Sequence, residues 1–414
     1  VASLSAVSRV LAHRNMRIFY SGSLVAWTGL WVQKVAVDWL AWQLTHSPLW
    51  VGVLAFCNLA PSVIVSPFAG AVADRMDRVK LTMITQYITV AHALTLATLT
   101  ATGLIRVEII AVLEVLIGSA QAFAQPARQS LVPGMVTRAE LPGAVALNSL
   151  TYNLARSIGP GIGGLIVAGF GVVPPMLVNA AGYLFASTTL RRLEIDPAHR
   201  RGHAPSGSVL REVVDGIAYV ARHPGMGPLF LFATALGVLV RPVQEMLPPF
   251  IDLVFHQDAR GLATVSSTIG LAAMVGGILI AVRGRLTGLA GIAVYGGLAI
   301  SIGTAGFVAM DHFPFAVGCA ALMGAATTIH GISAQTLLQS GTSGPMLGRV
   351  LSLWGMITRA APALGAVIYG GLSEALGLRA PVLVGAALAV LCCVWAARQL
   401  PRMARALERE PNLV

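Results

Sequence analysis

Lys34 and Asp38 stand four residues apart in WVQKVAVDWLAW (residues 31–42), a stretch otherwise apolar except for Gln33. On an α-helix that spacing puts an ammonium and a carboxylate on one face, about 6 Å apart along the axis. Two kinds of chemistry follow. The pair neutralises itself and so permits insertion into an apolar medium, or it opens and lets the carboxylate exchange a proton. The same cation-xxx-anion spacing recurs at Arg241 and Glu245, and Glu114, Arg156 and Arg359 bring the ionisable groups within apolar segments to seven. A charge at mid-membrane costs at least ~2.5–3.5 kcal/mol, so each should face protein or water and have a partner.

Asp38 is the leading proton-coupling candidate, with Glu245 and Glu114 behind it. Desolvation and a neighbouring cation act on a carboxyl's proton affinity in opposite senses, and the balance changes when a cavity opens to water. Arg156 and Arg359 remain charged at any relevant pH. They either bind an anionic substrate or pin helix contacts. Four cations against three anions mildly favour anionic or zwitterionic cargo, and Trp27, Trp31, Trp39, Trp42, Phe56 and Phe123 offer aromatic walls or interfacial anchors.

The elements that position these groups are set by composition. Of 414 residues 56% are hydrophobic and 11% charged, and runs of about 20 apolar residues recur, the length a helix needs to cross a bilayer. An all-α polytopic membrane protein is expected, with twelve spans from residue 17 to residue 397. With the N-terminus inside, 21 of the 28 Lys and Arg fall on the cytoplasmic side, so both termini are expected there, in a bacterial-type inner membrane. The formal charge of +11 then anchors the chain to anionic lipid, and no nucleic-acid partner is expected. The first span is too long for a signal-peptide core and lacks a cleavage pattern, so its retention is expected.

A polar segment divides the chain into halves 1–190 and 227–414, joined by a linker, 191–226, that carries the amphipathic helix VLREVVDGIAYVARH. At an offset of 207 residues Lys34 meets Arg241 and Asp38 meets Glu245; at 203, Arg156 meets Arg359. Two pseudo-symmetric six-helix halves are therefore expected, an architecture shared by many secondary transporters. No catalytic residue, cofactor or metal site is expected. The four cysteines lie in apolar spans, and no Gly-x-Ser-x-Gly elbow or phosphate loop occurs. His199 and His203 have ligand-like spacing in a Pro/Gly-bounded linker with no helix to align them, while His92 and His330 read as packing or hydrogen-bonding groups.

GAVADRMDRVK (70–80) resembles the signature loop of the major facilitator superfamily, with Asp77 where that family usually has Gly. The resemblance implies that Gly70, Asp74, Arg75, Arg78 and Lys80 latch the cytoplasmic ends of the halves. The family's fold brings spans 1 and 7 together on the outer side, which implies that Lys34 and Arg241 are outer-gate cations exchanging between their own carboxylates and cross-half partners, Lys34 with Glu245 and Arg241 with Asp38. GPGIGG (159–164) matches the antiporter motif on the fifth span, through Gly159, Pro160, Gly163 and Gly164. Physically, its proline and glycines make a kinkable helix that packs very close to a neighbour. AFAQPARQSLVPGMV, ALNSLTYNLARSIGPGIGG and VVDGIAYVARHP look like the exporter branch containing enterobactin exporters and macrolide-efflux pumps. Many related drug antiporters have an Arg on the fourth span, four residues before a Gly; here Glu114 precedes Gly118. The implied function is a proton-coupled exporter of amphiphilic small molecules such as drugs or siderophores, acting as a monomer by alternating access. The alternatives are a lysophospholipid flippase or uniporter of similar fold and, more remotely, a membrane-embedded lipid enzyme.

Overall fold

The computed structural model describes residues 8–137, 140–194, 209–342 and 344–408, with the backbone alone at 66–68, 70–75, 142, 209–213 and 345. His199 and His203, and the side chains of Asp74 and Arg75, thus lie outside the described residues, as does the surrounding of Gly70. Every regular element among the described residues is helical. That is the expected outcome for apolar segments, since a chain in lipid must satisfy its backbone hydrogen bonds within itself.

The first part of the chain forms α1 (Arg14–Thr45), α2 (Pro48–Arg75), α3 (Arg78–Ala101), α4 (Val107–Gln129), α5 (Leu141–Phe170) and α6 (Val173–Arg191). The linker contributes α7 (Val209–Arg222). Then come α8 (Met226–Leu239), a 3-10 turn at Arg241–Gln244, α9 (Leu247–Leu253), α10 (Ala259–Arg283), α11 (Leu289–Ala309), α12 (Phe313–Gly341), α13 (Gly344–Leu376) and α14 (Arg379–Leu407). Among the described residues, seven helices are long and apolar enough, by length and composition, to cross a membrane.

One expected element is broken. The seventh apolar span, 227–251, is not one helix but α8, the 3-10 turn and α9. Pro242, Pro248 and Pro249 explain it, since each lacks the N–H that would continue the ladder and its ring clashes with the preceding turn. Pro242 leaves the carbonyl of Val238 without its i+4 donor, and a β-carbon at Gly365 would stand only 2.4 Å from that oxygen. The Tyr369 hydroxyl donates to the next carbonyl, Leu239 O.

The chain resolves into two compact units. The first comprises Val1–Thr45, Cys57–Ser206 and Asp258–Ser267; the second comprises His46–Phe56, Gly207–Gln257 and Thr268–Val414. Within the first, α1 packs on α5 and α6, α6 on α3, and α3 on α4. Within the second, α8 packs on α13 and α14, α14 on α11, and α11 on α12. The neighbour order is the same in each. Each unit also includes a short segment remote in sequence: Pro48 O and Leu49 lie against Gly370 in the second, and Ala263 lies against Gly164 in the first.

Candidate functional site

The uninterrupted α1 keeps the geometry that the four-residue spacing dictates. Lys34 Nζ lies 3.1 Å from Asp38 Oδ2 and 3.4 Å from Oδ1, and both side chains are partly exposed. Gln33, on the next position of α1, is buried and accepts a hydrogen bond of 2.8 Å from Asn179 Nδ2 on α6.

Glu114 occupies a different environment. It sits on α4, 8% exposed, and its Oε2 accepts from Asn58 Nδ2 at 2.5 Å. The approach of the two helices is set one turn further on, where a β-carbon at Gly118 would fall 2.2 Å from the carbonyl oxygen of Asn58. The Glu-xxx-Gly spacing of α4 thus has a direct structural meaning: Gly118 admits the α2 backbone, and the Asn58 side chain reaches the carboxyl above it. Lys34, Asp38 and the Cys57 thiol all lie within electrostatic reach of Glu114. Three helices therefore converge two acids, one base and one neutral amide in the first unit.

Beside this cluster is an aromatic wall with cations. The Arg156 guanidinium stands 5.5 Å from the Trp31 ring centroid, and Tyr152 meets Trp31 and Trp27 edge-on at 6.3 and 5.4 Å. Arg128 lies over Trp27 at 4.0 Å, the distance of a good cation–π contact. Trp31 Nε1 is buried with no hydrogen-bond partner among the described residues.

The glycine motif of α5 seats this wall. A β-carbon at Gly159 would lie 2.5 Å from Trp31 Cβ, and one at Gly163 would lie 2.7 Å from Val32 O. The opposite face meets the start of α10: a β-carbon at Gly161 would lie 3.0 Å from Ser267 Oγ, and one at Gly164 would lie 2.1 Å from Ala263 Cβ. Pro160 lies inside the helix between these contacts.

In the second unit the broken span changes the chemistry. Arg241 opens the 3-10 turn and Glu245 follows it as the C-cap, so they do not share an α-helical face as Lys34 and Asp38 do. Arg241 Nη1 donates to Thr358 O at 3.3 Å, next to Arg359 on α13. It also lies within electrostatic reach of buried His330, whose Nδ1 is 2.8 Å from Ala293 O. Gln244 Nε2 donates to Thr327 Oγ1 at 3.3 Å. His330 is a hydrogen-bonding group; His92 is buried in α3 with neither ring nitrogen partnered among the described residues.

At the signature loop, Asp77 is the N-cap of α3. Its backbone is extended at φ −62°, ψ 118°, and Oδ1 accepts from Val79 N at 2.8 Å and Lys80 N at 3.1 Å. An Asp is thus suited to the place where the related loops carry Gly, because no left-handed backbone is required and two orphan donors are satisfied. Arg78 Nη1 donates to Ser130 O at 3.2 Å, tying α3 to the end of α4.

Within the first unit Lys34, Asp38 and Glu114 cluster and Arg156 joins the aromatic wall; Arg241, Glu245 and Arg359 belong to the second unit. Asn58, Tyr152 and Arg128 were not legible as site residues from charge placement alone. The signal for Asn58 was present, as a polar amide within an apolar span; its partner, 56 positions away, was not.

The chain is similar to known transporters throughout its length. It is 25% identical over 376 residues to the multidrug efflux pump Tap of Mycolicibacterium fortuitum, covering 87% of this chain and 90% of that protein. Against the enterobactin exporter EntS of Citrobacter koseri it is 25% identical, covering 88% and 87%. A shorter alignment, 26% identical, with the staphyloferrin A transporter of Staphylococcus aureus spans 61% of this chain and 64% of that one. The crystal structure of the nucleoside transporter NupG superposes with a TM-score of 0.73 at 13% identity, over 93% of this chain and 99% of that one, a likeness of fold. The model of the transmembrane secretion effector family matches residues 5–412. This chain therefore belongs to that family, within the exporter branch of the major facilitator superfamily, and is an integral membrane transporter rather than an enzyme.

Proposed function

We propose that this transporter is a proton-coupled exporter of amphiphilic small molecules, a drug or siderophore antiporter working as a monomer by alternating access. In this reading twelve helices form halves 1–190 and 227–414 around the 191–226 linker, in a cytoplasmic (inner) membrane with both termini inside. The observation that carries the proposal is the buried Glu114–Asn58 pair beside the Lys34–Asp38 pair. An amide is a neutral partner that serves a carboxyl in both protonation states. Its NH₂ donates to the carboxylate and, turned over, its oxygen accepts from the carboxylic acid. Glu114 is therefore placed ahead of Asp38 as the proton carrier, because Asp38 already has a cation at 3.1 Å. Opening the cavity to water changes the cost of charge on Glu114, which links proton occupancy to the access state.

The cargo reading rests on the aromatic wall. Trp31 and Tyr152 offer flat apolar surface, Arg156 a permanent cation and Trp31 Nε1 a donor. Those features suit a planar molecule with an anionic or zwitterionic group. The relatives that export enterobactin and that act as a multidrug efflux pump support the class.

The test is efflux from proteoliposomes under an imposed pH gradient, with a panel of dyes, macrolides and catecholate siderophores. Wild type is compared with Glu114→Gln and Asp38→Asn. Loss of gradient-driven efflux in Glu114→Gln, with downhill exchange of cargo retained, is the expected result. Normal pumping by Glu114→Gln moves the proton site to Asp38 or Glu245. If wild type moves no member of the panel under any gradient, the drug-or-siderophore reading fails and lipid cargo is the next assay.

A further inference from the structure

One sequence pattern follows the last helix of each unit. RRLEIDP (191–197) after α6 and RALEREP (405–411) at the end of α14 both read Arg-x-Leu-Glu-x-acid-Pro, with Leu193 and Glu194 in the places of Leu407 and Glu408. The shared neighbour order likewise pairs α6 with α14 and α3 with α11. Both leucines are buried. The glutamates do different work. Glu194 Oε1 meets Arg14 Nη1 at 2.5 Å in an exposed pair at the start of α1. Glu408 reaches the start of α11, where Oε2 accepts from Gly288 N at 2.7 Å and Oε1 from Ala290 N at 2.8 Å.

The loops explain the difference. In the first unit α3 has its own cap, the Asp77 carboxylate on Val79 N and Lys80 N. The corresponding loop of the second unit, VRGRLTG (282–288), has two arginines and no carboxylate. The N-cap of α11 is Gly288, at φ 80°, which has no side chain to offer the first turn. A helix start leaves N–H groups without intrahelical acceptors, and a carboxylate there satisfies them and meets the positive end of the helix dipole. The acid that the loop lacks arrives from the end of α14, 120 positions away.

Leu407 and Glu408 also gather the neighbouring helix ends. Ser340 Oγ, in the last turn of α12, donates to Leu407 O at 3.0 Å. A β-carbon at Gly341 would lie 2.5 Å from Leu407 Cδ2, and one at Gly225, just ahead of α8, 2.9 Å from Leu407 Cγ. Leu407 shares its buried core with Met226, Leu289, Ala290, Leu337 and Leu338. The starts of α8 and α11 and the end of α12 therefore meet on two consecutive residues, and the contact with α11 is made by a charge.

We propose that Glu408 is a positioning residue for the transport cycle: it stands in for the missing acid of the second loop and holds the ends of α8, α11 and α12 to α14 as one body. The inference needs a transporter, whichever cargo and coupling ion it uses. Alternating access moves bundles of helices largely as rigid bodies, so helices whose ends are joined move together. Releasing this clasp frees α11 and α12 from α14 and slows turnover while leaving cargo affinity alone.

The experiment is hydrogen–deuterium exchange on the full chain in nanodiscs, wild type beside Glu408→Ala and Glu408→Gln, with initial rates of dye efflux from proteoliposomes. Glu408→Ala should speed exchange at 286–292 about fivefold, the factor that loss of a helix cap corresponds to. It should also speed exchange at 225–229 and 338–342, which contact Leu407 instead. Glu408→Gln, which keeps an acceptor and loses the charge, should fall between. Glu194→Ala, which breaks the exposed pair with Arg14, should leave all three segments unchanged. For any dye that wild type moves, Glu408→Ala should lower the maximal rate severalfold at unchanged half-saturation. Unchanged exchange at 286–292 overturns the proposal. Faster exchange confined to 286–292 also overturns it, by reducing Glu408 to a local cap. A wild-type maximal rate in Glu408→Ala, or a change in half-saturation alone, removes Glu408 from the cycle. If wild type moves no dye, the exchange pattern alone decides.

Discussion

Glu114 draws its interest from the company it keeps. A hydrogen bond from a neutral donor to a buried charged group contributes about 1.5–3 kcal/mol. Asn58→Leu should therefore slow gradient-driven efflux about 10- to 100-fold, read as the initial rate in proteoliposomes. Gly118→Ala should do comparable damage without removing a polar group, because its β-carbon would press on Asn58 O at 2.2 Å and shift the amide. A normal rate in either variant would detach Asn58 from the mechanism. The same residues show what could be read in advance. Lys34 with Asp38 was legible because both partners lie on one helix, where spacing fixes geometry. Glu114 was legible as a buried acid but not its partner, since contacts between helices depend on which helix packs where. A tally of ionisable groups also passes over an amide.

At the scale of elements, the glycines of α5 supply an internal control. Gly159→Ala or Gly164→Ala places a carbon 2.5 or 2.1 Å from a neighbouring side chain, while a β-carbon at Gly169 would meet nothing within 4 Å among the described residues. Overpacking of this kind costs typically about 1–3 kcal/mol. The first two variants should therefore lower the midpoint of thermal unfolding in detergent, and Gly169→Ala should leave it unchanged. A second element-level prediction concerns acid. His13 Nε2 meets Glu140 at 3.0 Å ahead of α5. With Thr137, it holds that carboxyl below its ordinary range, at about 2. A depressed acid stabilises the fold above its unfolded value near 4.5, and the contribution disappears as the pH falls through about 2. The stability gap between wild type and Glu140→Gln should close across that window; a constant gap would mean that the pair does not discriminate protonation. The broken seventh span belongs here too. Its three prolines were visible, yet apolar content alone made 227–251 look continuous, and only the packing of Gly365 and Tyr369 on α8 reveals where the ladder stops.

For the molecule as a whole, polytopic all-helical character was legible from composition, because apolar runs of that length have one stable backbone solution in lipid. The membership of each unit was not, since no local pattern assigns His46–Phe56 to the second unit or Asp258–Ser267 to the first. Expressed separately, residues 1–206 and 207–414 would each lack a piece of their own unit. Each fragment alone should be cut by trypsin faster than when the two are co-expressed, and equal rates would show that the exchanged segments contribute little. The exchange also bears on how the protein is made. Synthesis proceeds from the N-terminus, and domains generally fold in that order. Here the first unit must wait with the Gly161 and Gly164 face of α5 uncovered until Ala263 and Ser267 leave the ribosome, after the linker, α8 and α9 have already emerged. Residues 46–56, made early, must in turn stay available for a helix completed more than 300 residues later, at Ala366 and Gly370. Neither unit can be finished before chain belonging to the other has been made, so completion of the first unit is delayed to Ser267 and that of the second extends past Gly370.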